Sequence, residues 1–166
     1  QQGTTLNNKG YGGTTYNGTT SGSVWSAASL ANCKLNGCQN FDTSTDYASI
    51  ADANLASLDS LTGFSTSFWI NPQTMGTDKS IISKNDASQR SFAIVTDASD
   101  NSKLRVHIAA SAAEAANTTY CTTDTGALTV STWQHFVIVY DGTQGTASDR
   151  VKIYKDGRQI TCGNMQ

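Results

Sequence analysis

From Phe64 to Ile70 the chain alternates, with Phe64, Phe68 and Ile70 on one side and Ser65, Ser67 and Trp69 on the other. A period of two marks a strand with one buried face. Further short runs rich in Val, Ile, Phe and Tyr fall at 80–84, 92–96, 104–109, 136–140 and 151–155, each bounded by Asp, Asn, Gly or Ser; all are read as strands. Leu104, Val106 and Ile108 alternate with Arg105, His107 and Ala109, so His107 is expected on an outer face as a solvated strand residue rather than a ligand. Residues 97–101 and the pair Asp156-Gly157 carry hairpin signals, and Asp141-Gly142 opens a polar loop reaching Asp149. Two short helices are predicted, over 52–61 and 109–116. Residues 1–23 are Gly, Thr, Asn and Tyr without an apolar period, and read as an irregular lead-in. Strands at this spacing predict an all-β fold, a sandwich or barrel.

Composition narrows the function classes. In 166 residues only 14% are charged, whereas 23 Thr and 19 Ser make up about a quarter of the chain. Glu114 is the lone glutamate and Pro72 the lone proline. A formal charge of −2 with scattered basic residues offers no cationic stripe for a nucleic-acid backbone. The longest weakly polar run, 109–116, is far short of the ~20 apolar residues that span a bilayer. The chain begins with Gln, not Met, and is expected to be processed, trimmed or part of a longer protein.

The four cysteines, Cys33, Cys38, Cys121 and Cys162, allow three connectivities. No C-x-x-C occurs and neither histidine stands near a cysteine in sequence, so the tetrahedral spacing of a zinc site is missing. Disulfides are the expected state, with buried thiols the alternative, and they imply an oxidising compartment. The sequons Asn17-Gly18-Thr19 and Asn117-Thr118-Thr119 are candidate glycosylation sites whose plainer reading is unmodified loop asparagine.

Several consecutive pieces resemble the laminin-G-like branch of the concanavalin A-like lectin and glucanase superfamily. They are Gln39-Asn40-Phe41-Asp42, Asp46-Tyr47-Ala48-Ser49-Ile50, Phe64-Ser65-Thr66-Ser67-Phe68-Trp69-Ile70-Asn71-Pro72, Ser80-Ile81-Ile82-Ser83-Lys84, Trp133-Gln134-His135-Phe136-Val137-Ile138-Val139-Tyr140-Asp141-Gly142 and Val151-Lys152-Ile153-Tyr154-Lys155-Asp156-Gly157. The resemblance covers about 24–160 and implies an antiparallel jelly-roll β-sandwich, with 1–166 as a single domain. Trp69 and Trp133 are then expected as anchors between the facing sheets, whereas Trp25 is less committed, and as an exposed Trp in a loop would suit a sugar or partner contact. Residues 118–123 are expected beside the strand leaving the Asp156-Gly157 hairpin, which pairs Cys121 with Cys162 and leaves Cys33 for Cys38. The aromatic first strand and the last strand of the family pattern are missing from the sequence, so an unpaired sheet edge is expected near 38–41.

Catalytic signals are absent. Glycoside hydrolysis needs two positioned carboxylates, and the glucanase branch of the resemblance supplies them on one Glu-x-Asp-x-Glu strand. Glu114 between alanines cannot build that set, and Asp97 and Asp100 fall in a turn. No Gly-x-Ser-x-Gly elbow exposes a nucleophile, no helix follows the glycines at 10, 12 and 13 to hold a phosphate, and His135 reads as a structural residue at the sandwich rim. No cofactor is required. The resemblance implies one optional ion, calcium at the rim, for which Asp42 and Asp46 flank the best local cluster; an Asx-capped turn uses the same residues.

A non-enzymatic, extracellular or surface-displayed recognition or adhesion module is therefore expected, binding glycan or protein through its loops, with Trp25, Tyr11 and Tyr16 as candidate contacts. The alternative is a structural subunit of a pilus, sheath, capsid or surface layer, packing against neighbours through an open sheet edge.

Overall fold

The computed structural model describes residues 4–22, 24–26, 33–35, 37–59, 62–85, 90–109 and 118–165. They fall into two compact units, Gln1–Ser57 and Leu58–Gln166. In the first, β1 (Thr5–Leu6), β2 (Gly18–Ser21) and β5 (Tyr47–Ser49) make one small sheet in the order β1-β2-β5, and β3 (Val24–Ser26) pairs with β4 (Cys38–Asn40). The lead-in expected to be irregular thus contributes two short strands, because its β-branched threonines sit opposite Tyr47–Ser49 with Thr19 facing Ser49. Trp25 is not in a loop: its backbone lies in β3 opposite Gln39. Cys33 is bonded to Cys38, Cα to Cα 5.4 Å. Among the described residues β4 has β3 on one side and no second strand neighbour.

The second unit is a β-sandwich. Its five-stranded sheet runs β14 (Cys162–Met165), β10 (Thr118–Thr123), β9 (Leu104–Ala109), β8 (Arg90–Thr96), β7 (Ser80–Asn85); its four-stranded sheet runs β13 (Arg158–Ile160), β12 (Val151–Lys155), β11 (Gln134–Asp141), β6 (Gly63–Ile70). All these pairings are antiparallel. Each apolar run of the sequence is one of these strands, extended at either end by two residues at most. Ile94, Leu104, Val106, Phe136, Ile138 and Ile153 are fully buried between the sheets, where each contributes about 1.5–3 kcal/mol by leaving water. The Asp156-Gly157 turn has positive φ at both residues, +50° and +81°, as the tight hairpin between β12 and β13 requires.

Three features differ from the sequence reading, and the helix expected over 109–116 falls outside the described residues except for Ala109. Cys162–Met165 forms a strand, β14, paired with β10, and the expected bridge joins Cys121 to Cys162 with Cα atoms 5.3 Å apart. Where a helix was expected over 52–61, the described part forms two 3-10 turns, Asp52–Asn54 and Ala56–Leu58, since so short a segment cannot offset the cost of nucleating an α-helix. Ala109 closes β9, and 110–117, with Glu114 and Asn117, lie outside the described residues. Trp69 is no anchor between the sheets. Phe64, Phe68 and Ile70 take the inner face, so parity sends Trp69 outward, 37% exposed and packed on the His135 ring at 5.0 Å. Trp133 is half-buried just before β11.

Gln134, 1% exposed at the start of β11, is the buried polar group that ties the preceding turn to the core. Its Oε1 accepts the Thr129 N–H at 3.1 Å, and its Nε2 donates to the carbonyls of Thr129 at 2.7 Å and Thr132 at 3.2 Å.

Candidate functional site

The outer face of the five-stranded sheet carries two rows of side chains running across the strands. Strand register aligns Ser80, Val95, Arg105 and Thr122 in one row and Ser83, Ala93, His107 and Tyr120 in the next. A β-bulge between Ser80 and Ile82 makes this possible on β7: it turns Ile81 and Ile82 toward the core together and leaves both serines facing out, Ser80 donating to Ser83 at 3.2 Å. In these two rows β8 contributes the short side chains of Ala93 and Val95, so the surface sinks between the long side chains of β9 and the β7 hydroxyls. The result is a depression of about 310 Å³, with Asp78 at its margin. A second, of about 230 Å³, lies over Tyr120, Thr122 and Asp97. Arg105 and His107 line both and form the ridge between them.

Arg105 is held from two sides. Nη2 donates to Asp78 Oδ1 at 2.8 Å, and Nη1 lies 3.5 Å from Asp97 Oδ2. Its Nε is buried and has no hydrogen-bond partner among the described residues. Asp78 sits in the left-handed region at φ +53°, a conformation Asp tolerates better than most residues. The turn carrying it is clamped from β8: Thr96 Oγ1 accepts the Lys79 N–H at 2.8 Å and donates to the Gly76 carbonyl at 2.6 Å. The Asp97 carboxyl is held below its ordinary range, chiefly by the Ser99 hydroxyl, with the Ser99 N–H and the Arg105 charge adding to it against the opposing effect of burial. His107 stacks on Tyr120, ring centroids 5.9 Å apart and planes 27° from parallel.

The residues singled out in the sequence lie elsewhere. Tyr11 is fully exposed, and Tyr16, half-buried in the 3-10 turn Gly13–Tyr16, rests its ring over Gly12, where a Cβ would stand 2.0 Å from it. The side chain of Trp25 is outside the described residues. The Asn17 amide oxygen accepts the Asn8 N–H at 2.8 Å.

Asp46 is the hub of a turn. Its carboxylate accepts the N–H groups of Asp42 at 2.9 Å and Thr43 at 3.0 Å and the Thr43 hydroxyl at 2.6 Å, which together hold its pKa down, the hydroxyl most. Asp42 in turn receives the Asn40 amide at 3.3 Å. Calcium requires six to eight oxygens converging on one point, whereas this carboxylate faces N–H and O–H hydrogens. Among the described residues no three His, Cys, Asp or Glu side chains gather to hold a metal. The carboxylate of Asp46 thus closes a hydrogen-bonded turn over 42–46. On the opposite sheet Ser67 Oγ lies 2.7 Å from His135 Nε2, under Trp69. Asp156 engages only the His135 backbone, N–H to Oδ1 at 2.9 Å and carbonyl to N–H at 2.8 Å, so it does not orient the imidazole as a catalytic triad requires.

Residues 42–165 match a laminin-G-3 family model, described as concanavalin A-like lectin/glucanases superfamily. The chain belongs to this family. Comparison with curated proteins and with solved structures gave no match. Laminin-G-like domains of this superfamily often bind carbohydrate or protein and are typically non-enzymatic, and the two disulfides accord with an oxidising setting. Sequence reasoning missed Asp78, Ser80, Ser83, Arg105 and Tyr120. Only the alternation of Arg105 and His107 signalled an outward row, and nothing in the order of residues showed which neighbours complete it.

Proposed function

We propose that this laminin-G-like protein is a non-enzymatic, extracellular or surface-displayed recognition and adhesion module for glycan or protein, and that it takes its ligand on the outer face of the five-stranded sheet in place of the loop tips. The observation that carries this reading is the guanidinium of Arg105, braced by Asp78 and Asp97 between two depressions of the sheet face. Binding sites need a few polar groups held in place before the ligand arrives, and this set is held by strand register and by the Thr96 clamp. No pair of carboxylates here brackets a bond to be broken; both face the same cation.

Probing glycan and protein arrays with the purified chain, beside Ser83→Trp, tests the proposal. Ser83 is exposed and lines the larger depression, so a Trp there blocks the face without entering the core. Retention by the parent chain and loss by Ser83→Trp is the expected outcome. Equal retention by both would move the site elsewhere, and hydrolysis of a retained glycan would end the non-enzymatic reading.

A further inference from the structure

Among the described residues the sandwich has four strand edges, β7 and β14 on one sheet and β6 and β13 on the other. Three of them carry a device that resists pairing with another chain. β7 breaks register twice, between Ser80 and Ile82 and between Lys84 and Asn85, and holds a lysine. β13 has three residues, the exposed Arg158 among them. β14 has four, and its pairing with β10 shifts between Thr122 and Thr123. β6 has none of these. Gly63–Ile70 is eight residues long, contains no Lys, Arg, Asp, Glu or Pro, and keeps one register with β11 from end to end. Short length, charge, proline and bulges are what blunt an edge; without them it is a template for a further strand. We infer that this edge joins a second copy of the chain, β6 lying antiparallel to the partner's β6 across a two-fold axis at Thr66.

Backbone direction makes the edge usable. The Gly142 N–H donates to the Thr62 carbonyl at 2.7 Å, one step beyond the last pair of β6 and β11. Bonded pairs alternate along an antiparallel ladder. Phe64, Thr66, Phe68 and Ile70 therefore aim their N–H and C=O groups at β11, while Gly63, Ser65, Ser67 and Trp69 aim theirs away from it. β11 agrees: the His135 carbonyl accepts the Asp156 N–H, so its odd-numbered residues turn to β12 and its even-numbered ones to β6.

Side chains select a copy of β6 as the occupant. With Thr66 on the axis, Ser65 lies opposite the partner's Ser67, and each such pair exchanges both its hydrogen bonds. Phe64 lies opposite the partner's Phe68 at a non-bonded position, where side chains come closest and aromatic pairs stabilise most. Gly63, lacking a side chain, lies opposite the partner's Trp69. The faces match as well: Phe64 and Phe68 are partly buried against the core on the inner face, and Ser65 and Ser67 are exposed on the outer one. A two-fold axis sets like charges near one another, and β6 brings no charge to it. The pairing uses neither depression of the other sheet, so it stands or falls apart from the proposed binding face. Joined copies would present two such faces and gain avidity without a new contact.

Light scattering on the full chain over a micromolar to millimolar range tests the pairing, with circular dichroism on every variant. The parent is expected to move from 17.6 kDa to twice that mass as concentration rises. Ser65→Lys with Ser67→Lys sets lysine against lysine at both central pairs and should weaken the dimer about tenfold or more, whereas Ser65→Lys with Ser67→Asp sets lysine against aspartate and should restore it. Thr66→Cys, with Cα atoms about 4.5 Å apart across the axis, should give a covalent dimer in air on a non-reducing gel, and Ser65→Cys should not. If the double lysine variant loses its fold, the two cysteine variants decide. A chain that is monomeric at every concentration overturns the inference, as does a dimer that both charge variants leave unchanged or weaken alike. Cross-linking through Ser65→Cys in place of Thr66→Cys overturns the axis at Thr66.

Discussion

Arg105 on β9 reaches over β8 to Asp78 at the entry to β7, Nη2 to Oδ1 at 2.8 Å, and on its other side faces Asp97, the first residue after β8. The two carboxylates differ in exposure, 63% for Asp78 and 11% for Asp97. Asp78→Asn should therefore change stability by less than ~1 kcal/mol, as exposed ion pairs do. Arg105→Ala leaves the buried Asp97 without its cation and should cost about 1–3 kcal/mol. Urea midpoints of the two variants compare them directly, and a larger cost for Asp78→Asn would refute this division.

Acid should weaken the fold through its turn aspartates. Asp97, Asp100 and Asp141 each accept a neighbouring hydroxyl and N–H, from Ser99, Ser102 and Thr143, and each is held below the ordinary value of 3.8 chiefly by that hydroxyl. A carboxyl whose folded pKa is depressed contributes stability that is fully present above the unfolded pKa and is lost as pH falls through the folded one. Stability from these groups should thus be flat at neutral pH and decline below 3.8. Asp97→Asn should remove part of that acid dependence in urea melts taken across the acid range; an unchanged slope would exclude Asp97 as a contributor.

Gln134→Leu keeps approximate size but strips three hydrogen bonds from the 129–132 turn. Leaving the Thr129 N–H and carbonyl unmet should cost about 1–3 kcal/mol. Amide exchange at Thr129 should quicken while β11 stays protected.

Trp69→Ala should be mild beside Phe136→Ala. Phe136 is fully buried and its truncation should cost about 3–5 kcal/mol, whereas Trp69, on the outer face, should cost about 1 kcal/mol. Thermal melts giving the two variants equal losses would contradict the outward position of Trp69.

The bridges should differ in weight. Loop closure ranks Cys121–Cys162, separated by 41 residues, at about 4 kcal/mol and Cys33–Cys38, separated by 5, at about 2 kcal/mol. Replacing each pair by serine and measuring urea midpoints checks the order; the first replacement should also release β14 from β10.

Alternation by itself determined the inner strands: Leu104, Val106 and Ile108 point inward because successive side chains on a strand face opposite ways, whatever lies across the sheet. The same parity already put Trp69 outside with Ser65 and Ser67, and treating it as a core anchor gave residue type priority over position. Hairpin chemistry was equally local, Asp156-Gly157 needing only its own two φ angles. The proposed binding face was not local. Asp78, Ser83, Arg105 and Tyr120 come from a turn and three strands, and which of them share a row depends on register, including a bulge at Ile81 that sequence does not announce. The terminal strand Cys162–Met165 is similarly a product of its partner, since a short polar segment becomes a strand only when Thr118–Thr123 offers an edge and a disulfide holds it there. Side-chain direction is set within a strand, and so the sequence carried it; side-chain company is set between strands, and only the tertiary structure could decide it.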